Sequence, residues 1–443
     1  MAPPLTRKAA LSRRALLGLC AKSSLGFALG RTPYGGRLRL SVPWPVTSLE
    51  PASLSDGFAA LFASAVFEPL FGLDAQGNPY PALTDALPNK LGAGCRVTLR
   101  KGLKTAAGRA LAGVDVVATI TRARARGGIG LLGELENPRV DAQDPLSVVF
   151  EHAGPDAVAR TLSNPLLSLV PRGFSPLSPD GCGAFKLELG RGRALFTRNP
   201  SAARGAAFLD AIEVTQVSDF ADLLRGFEAG EADIGWFGTG LYRAVKDAVA
   251  FEAPRYGIAV LSAGKTVGAW GAPGALQALL DAVPAQQLTH LGLRGLPTQP
   301  RGSAAWGGPA TTIAVLAGAP QLGAVARALA SSMSTAGHEL TVVEKSATEL
   351  AELQSSRQFG LLVDIVRAPT PLPRDLEMAL RTVANPEAAK HAPRTATASP
   401  RELGRQLPLG VIGELAIWGA RRMTFFGLEA WQLGAVSLPT TPS

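Results

Sequence analysis

Residues 311 to 365 constrain the fold of this chain more than any other stretch. Residues 311–316 are a short run of β-formers, 321–336 carry helix formers over a helical length, and 339–343 alternate. A second helical segment follows at 347–355, and 360–365 close the stretch with apolar β-formers. Strand and helix signals alternating at this spacing build βαβ units, which lay their strands side by side and cover the sheet with helices. The second half of the chain, with a further strand at 257–261 and a helix at 275–283, is therefore predicted to be an α/β lobe with a mainly parallel sheet.

Upstream, residues 38–42 alternate and stop at Pro43-Trp44-Pro45, a strand running into an irregular loop. Residues 55–71 are apolar and Ala-rich, as in a helix packed on both sides. Residues 95–100 alternate again, and 114–126 read as a helix with Asp115 near its N-terminal dipole. Strand signals recur at 146–150, 184–189, 194–197 and 212–215, then a helix at 220–227 and a strand at 232–236. A polar connector spans 393–400, and 407–438 return to apolar strands and turns around Trp418 and Trp431. At 443 residues, 47% hydrophobic and 18% charged, the chain has core for two to three domain-sized units.

The formal charge of +9 invites a nucleic-acid or membrane partner. Six of the bases, Arg7, Lys8, Arg13, Arg14, Lys22 and Arg31, fall in the first 31 residues, where no acid occurs; the rest has 38 bases against 35 acids, a net +3. Ser12-Arg13-Arg14-Ala15-Leu16-Leu17 opens an apolar stretch through Leu29 broken only by Lys22, Ser23 and Ser24. Residues 1–31 thus read as an export signal, of the twin-arginine or general secretory type, rather than as an ordinary basic amphipathic N-terminus. Leu19 before Cys20 argues against lipid attachment. Elsewhere no apolar run of about 18 residues lacks charges or Gly/Pro breaks, so no membrane span is expected.

Patterns that could carry catalysis fail on context. Gly128 to Gly133 matches GxGxxG but follows a basic helix instead of a strand, so the phosphate cradle has no strand to feed it. Arg122, Arg124 and Arg126 on that helix read as a solvated face, for want of aromatic stacking partners nearby. Lys265 and Thr266 end a relaxed phosphate-loop pattern, yet Gly268, Gly271, Pro273 and Gly274 oppose the helix it needs. The acids Glu228, Glu231 and Asp233 around Gly230 suit turn chemistry. The four histidines lack metal spacing, and neither CxxC nor GxSxG occurs. Cys95 and Cys182 could pair in an exported compartment, though their spacing does not require it. Trp44, Trp236 and Trp418 sit at strand-to-loop positions, where each serves either as the wall of a ligand cleft or as a core tryptophan.

Short motifs then recur in an order that resembles the extracytoplasmic solute-binding proteins of the peptide/nickel ABC-importer family. Ser48-Leu49-Glu50-Pro51 is similar to that family's S-L-D-P, and Val66-Phe67-Glu68-Pro69-Leu70 to its V-Y-E-x-L. Asp74, Gly77, Pro81 and Leu83 match D-x-x-G-x-x-x-P-x-L, and the stretch from Leu99 to Val117 follows L-R-x-G-V-K-F-x-D-G-x-P-L-T-A-x-D-V. Gly181 to Phe185, Arg198-Asn199-Pro200, Leu209 to Ile212 and Gly230 to Asp233 resemble G-T-G-P-Y, R-N-P, L-D-x-I and G-E-x-D. Ala112 departs from the capping Thr of the pattern. Residues 360–371 stand where peptide binders carry W-x-A-D-Y-x-x-P; counting back from Pro371, Arg367 takes the place of the Asp that pairs with a peptide's α-amino group, and Asp364 the place of the Trp. On that register the resemblance implies that a cation-accepting pocket has become a neutral or anion-accepting one.

The resemblance implies an α/β, two-lobed periplasmic-binding-protein-like fold with mixed sheets and a hinge-lined ligand cleft. Lobe I would comprise residues 32–238 with 400–443, carrying an inserted subdomain at about 59–150, and lobe II residues 239–399, with crossings near 238–242 and 400–407. It implies a periplasmic, monomeric receptor that closes on a small solute, peptide by default with a non-peptide or anionic solute as rival. The solute would pass to an inner-membrane ABC permease with its ATPase, without nucleic acid, cofactor, metal or catalytic residues. A sensor signalling to a membrane partner and an exported enzyme on the same fold are the other readings. Ligand-binding candidates are Trp44, Trp236, Ser262, Asp364, Arg367 and Trp418.

Overall fold

The computed structural model describes residues 35–126, 128–133, 135–217, 219–236, 248–370, 372–392, 398–428 and 430–438. The expected export signal, the first expected crossing, Pro371 and most of the 393–400 connector lie outside these residues. In chain order the main strands are β1 (Arg37–Val42), β2 (Phe185–Gly190), β3 (Arg193–Arg198), β4 (Ala211–Gln216), β5 (Ile234–Trp236) and β6 (Val249–Ala263). They continue with β7 (Thr311–Leu316), β8 (Leu340–Lys345), β9 (Leu361–Arg367) and β10 (Leu409–Arg421). One sheet joins them in the order β8-β7-β9-β6-β10-β5-β1-β4-β3-β2, with the short strand Leu293–Arg294 added on β10.

The expected βαβ stretch is present: β7 runs parallel to both β8 and β9, with the helices Pro320–Met333 and Ala347–Ser356 between. The lobe's sheet is mixed, however, and not mainly parallel, because β9 pairs antiparallel with β6 and β6 antiparallel with β10. β6 starts, and the antiparallel β10 ends, beside β5. Their first pairs, Val249 with Arg421 and Phe251 with Gly419, lie next to β5, whereas Leu261 with Gly410 lies next to β9. Between them the register shifts at Glu252/Arg255, at Arg255/Gly257 and again at Ala259/Val260. Pro254 falls inside the first shift, where the ladder needs no N–H from it. Arg255 spans the pair to Glu414 at 3.0 Å, and Arg294 pairs with Glu252.

Helices build the rest of the frame: α1 (Gly57–Val66), α2 (Gly113–Ala125), α3 (Ile129–Leu132), α4 (Pro155–Thr161) and α5 (Pro373–Ala384). A separate antiparallel sheet of Asn89–Leu91, Gly94–Thr98, Ser147–Phe150 and Arg139–Val140 packs against α2. Its core, including Val97, Val116, Ile120 and Phe150, draws on residues from Ala52 to Cys182. A second small core under α5 joins Ile258 and Val260 of β6 to Val366, Leu376 and Leu380. The largest core lies along the long sheet and contains α1, Trp44 and the inner faces of β1, β3 and β7.

Asp115 shows how one side chain can organise this frame. Its buried carboxylate accepts the Ala112 backbone N–H at 2.8 Å, half of a capping box, and the Arg172 backbone N–H at 2.7 Å. Ala112 has the extended conformation of an N-cap but no oxygen to return the bond. We predict that Ala112→Thr supplies the missing acceptor for the first-turn N–H groups and stabilises the fold by about 1 kcal/mol. Denaturant unfolding should show a higher midpoint at unchanged slope; an unchanged or lower midpoint would contradict the capping account.

Candidate functional site

The loop from Leu49 to Asp56 leaves the β1 end of the sheet and enters between α2 and β9. Glu50, 5% exposed, is held by Arg122, whose Nε donates to its two carboxylate oxygens at 3.3 and 3.1 Å while Nη2 makes a further short bond. Arg126 stands 3.9 Å from the same carboxylate, and the Arg122 guanidinium lies 4.9 Å over the ring of Phe174. Planar pairing and stacking together offset part of the cost of taking two charges out of water. The expected solvated face thus fails for Arg122: its partner lies 72 residues earlier in the chain.

At the other end of the loop, Arg367 is 3% exposed, and its Nη1 donates to the backbone carbonyls of Pro51 at 2.7 Å and Ser53 at 2.8 Å. Its backbone N–H donates to the Leu54 carbonyl at 2.9 Å. Burial pulls its pKa down to about 10, opposed by the nearby carboxylates of Asp56 and Glu50. Asp364 on the same strand accepts the Ile365 N–H at 2.8 Å and the Gln354 amide at 2.7 Å. Burial pushes its carboxyl up to about 7, with hydrogen bonds from Ile365, Ser55 and Gln354 opposing and Asp56 adding to the shift.

Alongside this loop α2 presents a second apolar stripe. Val114, Val117, Ala118, Thr121 and Ala125, spaced by three and four residues, floor a groove of about 470 Å³ whose rim carries Arg122, Arg126 and Arg172. Arg126 is half exposed and Arg172 exposed. Three guanidinium groups against two carboxylates, Glu50 beside Arg122 and Arg126 and Asp115 behind Arg172, leave the groove with a net positive charge, and donors in fork geometry suit a carboxylate-bearing ligand. Arg172 has no sequence motif; it reaches the rim because Asp115 fixes the backbone of its turn.

The six candidates divide by place. Asp364 and Arg367 meet the loop. Trp44 is 1% exposed, packed edge-on against Tyr256 at 6.0 Å and over Gly57, whose absent Cβ would meet the indole ring at 2.4 Å. Ser262 is half-buried in β6, opposite Leu362 and Leu409. Trp236 and Trp418 sit in β5 and β10, and their side chains lie outside the described residues. None of Trp44, Ser262, Asp364 and Arg367 is in the groove wall. Cys95 and Cys182 are both free and buried, and burial pushes their thiols up to about 11 and about 12. Among the described residues no group of three or more His, Cys, Asp or Glu is placed to hold a metal ion, and no helix is long and apolar enough to cross a membrane.

Two outcomes follow from the buried charges. Asp364 binds its proton more tightly folded than unfolded, so its contribution to stability is present at low pH and is lost as pH rises from about 4 through about 7. Asp364→Asn should therefore be more stable than the natural chain at pH 8, on the order of 2–4 kcal/mol, with the gap closing as pH falls and similar stability at about pH 4. Parallel pH profiles of the two in chemical unfolding would contradict this. Arg367→Ala, which leaves two buried carbonyls and the Asp56 carboxylate without their cation, should cost about 3 kcal/mol. A loss below about 0.5 kcal/mol, the scale of an ordinary surface change, would contradict the bracing role.

No family model matches the sequence, and no curated protein is detectably similar to it. Solved structures are. The periplasmic binding protein DppA from Helicobacter pylori, in complex with the peptide STSA, superposes with a TM-score of 0.67 at 15% identity over 92% of this chain and 99% of that one. The binding protein AgaA from A. tumefaciens R10, in complex with agropinic acid, gives 0.65 at 15% identity over 90% and 97%. NikA from Brucella suis, in complex with Fe(III)-EDTA, gives 0.60 at 16% identity over 92% and 100%. The chain therefore has the two-lobed α/β fold of the solute-binding proteins of peptide and nickel ABC importers.

Proposed function

We propose that this protein is an exported solute receptor of an ABC importer, and that it takes a small solute bearing a carboxylate. The arginine-lined groove carries the reading: a shallow, open, apolar-floored surface edged by three arginines, beside the loop that braces the two halves of the chain. The fold likeness supports the receptor role, since AgaA, DppA and NikA are binding proteins whose bound partners include acidic and peptide molecules. Lobe I would hold β1 to β5 with the α2 sheet, and lobe II β7 to β9. The register-shifted strands β6 and β10 would then be the flexing connection, since bulges are where a paired ribbon bends most easily. Closure would present one continuous face to a membrane permease, leaving transport chemistry to the permease's ATPase.

The place of a peptide-accepting Asp is filled by Arg367, so a free amine has no assigned partner, whereas Arg126 and Arg172 offer donors to a carboxylate. Isothermal titration with four forms of one tripeptide separates the alternatives: unmodified, N-acetylated, C-amidated and doubly blocked. Acetylation should be tolerated, amidation should weaken binding about tenfold or more, and Arg172→Ala should remove most of the difference between acid and amide. A strict need for the free amine would overturn the anion-accepting reading; hydrolysis of the peptide during titration would overturn the receptor reading.

A further inference from the structure

A second cavity, of about 270 Å³, lies away from the groove, where α3 and α4 of the N-terminal half meet α5 of the C-terminal half. The contact beside it is tight: a Cβ on Gly130 of α3 would fall 2.4 Å from the Thr382 hydroxyl and 2.7 Å from the Ala389 methyl. Leu131 and Met378 form one apolar wall and share a small core with Leu166. The remaining wall is polar and comes from both sides. Arg160, in the last turn of α4, and the buried Asn164 face Arg374 and Asp375, in the first turn of α5.

The groups already have partial engagements that leave a positive balance. Asn164 Oδ1 accepts the Leu166 N–H at 3.0 Å, so what its amide can still offer is a donor. Asp375 accepts the Thr370 hydroxyl and stands 3.7 Å from Arg374, while Arg374 reaches the Gly77 carbonyl at 3.3 Å. Two guanidinium groups and one carboxylate therefore share a small space between two parts of the chain. With one carboxylate for two guanidinium groups, the cavity keeps one positive charge that an added anion can pair.

We propose that this cavity is a second binding site, for a small oxyanion, and that its occupation helps hold α5 against α3 and α4. The ligand accepts from Arg160 on one side, Arg374 on the other and the Asn164 amide between. It acts on the contact of α5 with α3 and α4, separate from the solute that the proposed function places in the groove. An oxyanion of this size is either a free small carboxylate or inorganic phosphate, and the test separates the two.

Melting of the full chain without its first 31 residues is followed during titration with succinate, with inorganic phosphate and with chloride at matched ionic strength. The proposal expects one of the oxyanions to give a saturable rise of about 2–4 °C at a hundredfold excess over its Kd, with chloride giving none. The rise should disappear in Arg160→Gln and Arg374→Gln and persist in Arg172→Ala, which disables the groove alone. Small-angle scattering should show a smaller radius of gyration with the oxyanion in the natural chain and no change in Arg160→Gln. A rise that survives both Gln variants, or one matched by chloride, overturns the proposal. A rise lost only in Arg172→Ala would assign the anion to the groove and overturn the second site while leaving the groove reading intact.

Discussion

Everything around the candidate site depends on two arginines gripping one loop from opposite sides. Arg122 of α2 holds the Glu50 carboxylate, and Arg367 of β9 holds the carbonyls of Pro51 and Ser53. Each arginine is largely removed from water, and a buried charge that loses its partner costs about 3–5 kcal/mol. The loop can therefore not leave one side without a penalty, and its shape is further set by Asp56, whose carboxylate caps α1 through the Ala59 N–H. Four residues, Glu50 to Ser53, thus tie a helix of the small antiparallel body to a strand of the βαβ stretch.

The proposed recognition would be coupled to that brace by geometry. Arg122 belongs at once to the ion pair under the loop and to the rim of the groove, and Arg126 stands close enough to share Glu50. An anion entering the groove competes with Glu50 for the same guanidinium groups or adds to them. In either case it alters the balance of charge that fixes the loop. Asp115 adds a second coupling, since the carboxylate that starts α2 also fixes the turn of Arg172. The register shifts of β6 and β10 lie in the same strands that link the two ends of the long sheet, so a change at the loop has a compliant ribbon beside it.

Much of the frame was legible in the sequence because short-range signals coincide with the structure. The strand Thr311–Leu316, the helix Ala347–Ser356 and β1 fall within a residue or so of their expected limits, the first marked by its run of β-formers, the second by its helix formers and β1 by alternation ending at Pro43. The misses have a common origin. α5 received no expected element, since Pro369, Pro371 and Pro373 mask its start, although Pro373 sits at the first helical turn where its missing N–H is harmless. Charged Glu252 and Arg255 and the intervening Pro254 concealed the first half of β6, whose pairing is irregular there. The site was less visible still. Arg122 read as solvent-facing because Glu50 is remote in sequence, Arg172 carries no motif, and Arg367 was picked out by a register argument whose geometric outcome is a bond to backbone carbonyls. Trp44 stood between cleft and core; its packing on Gly57 and Tyr256 puts it in the core.

The central claim is that the groove of α2 exists to hold an acidic solute. Mass spectrometry of the protein purified gently from its own cells, first intact and then after release of what it carries, tests this most directly. The account predicts one small molecule per chain, with at least one carboxylate and a net negative charge, whose occupancy falls when Arg126 and Arg172 are replaced together by Ala. A net cationic ligand, or occupancy indifferent to those two arginines, would contradict it.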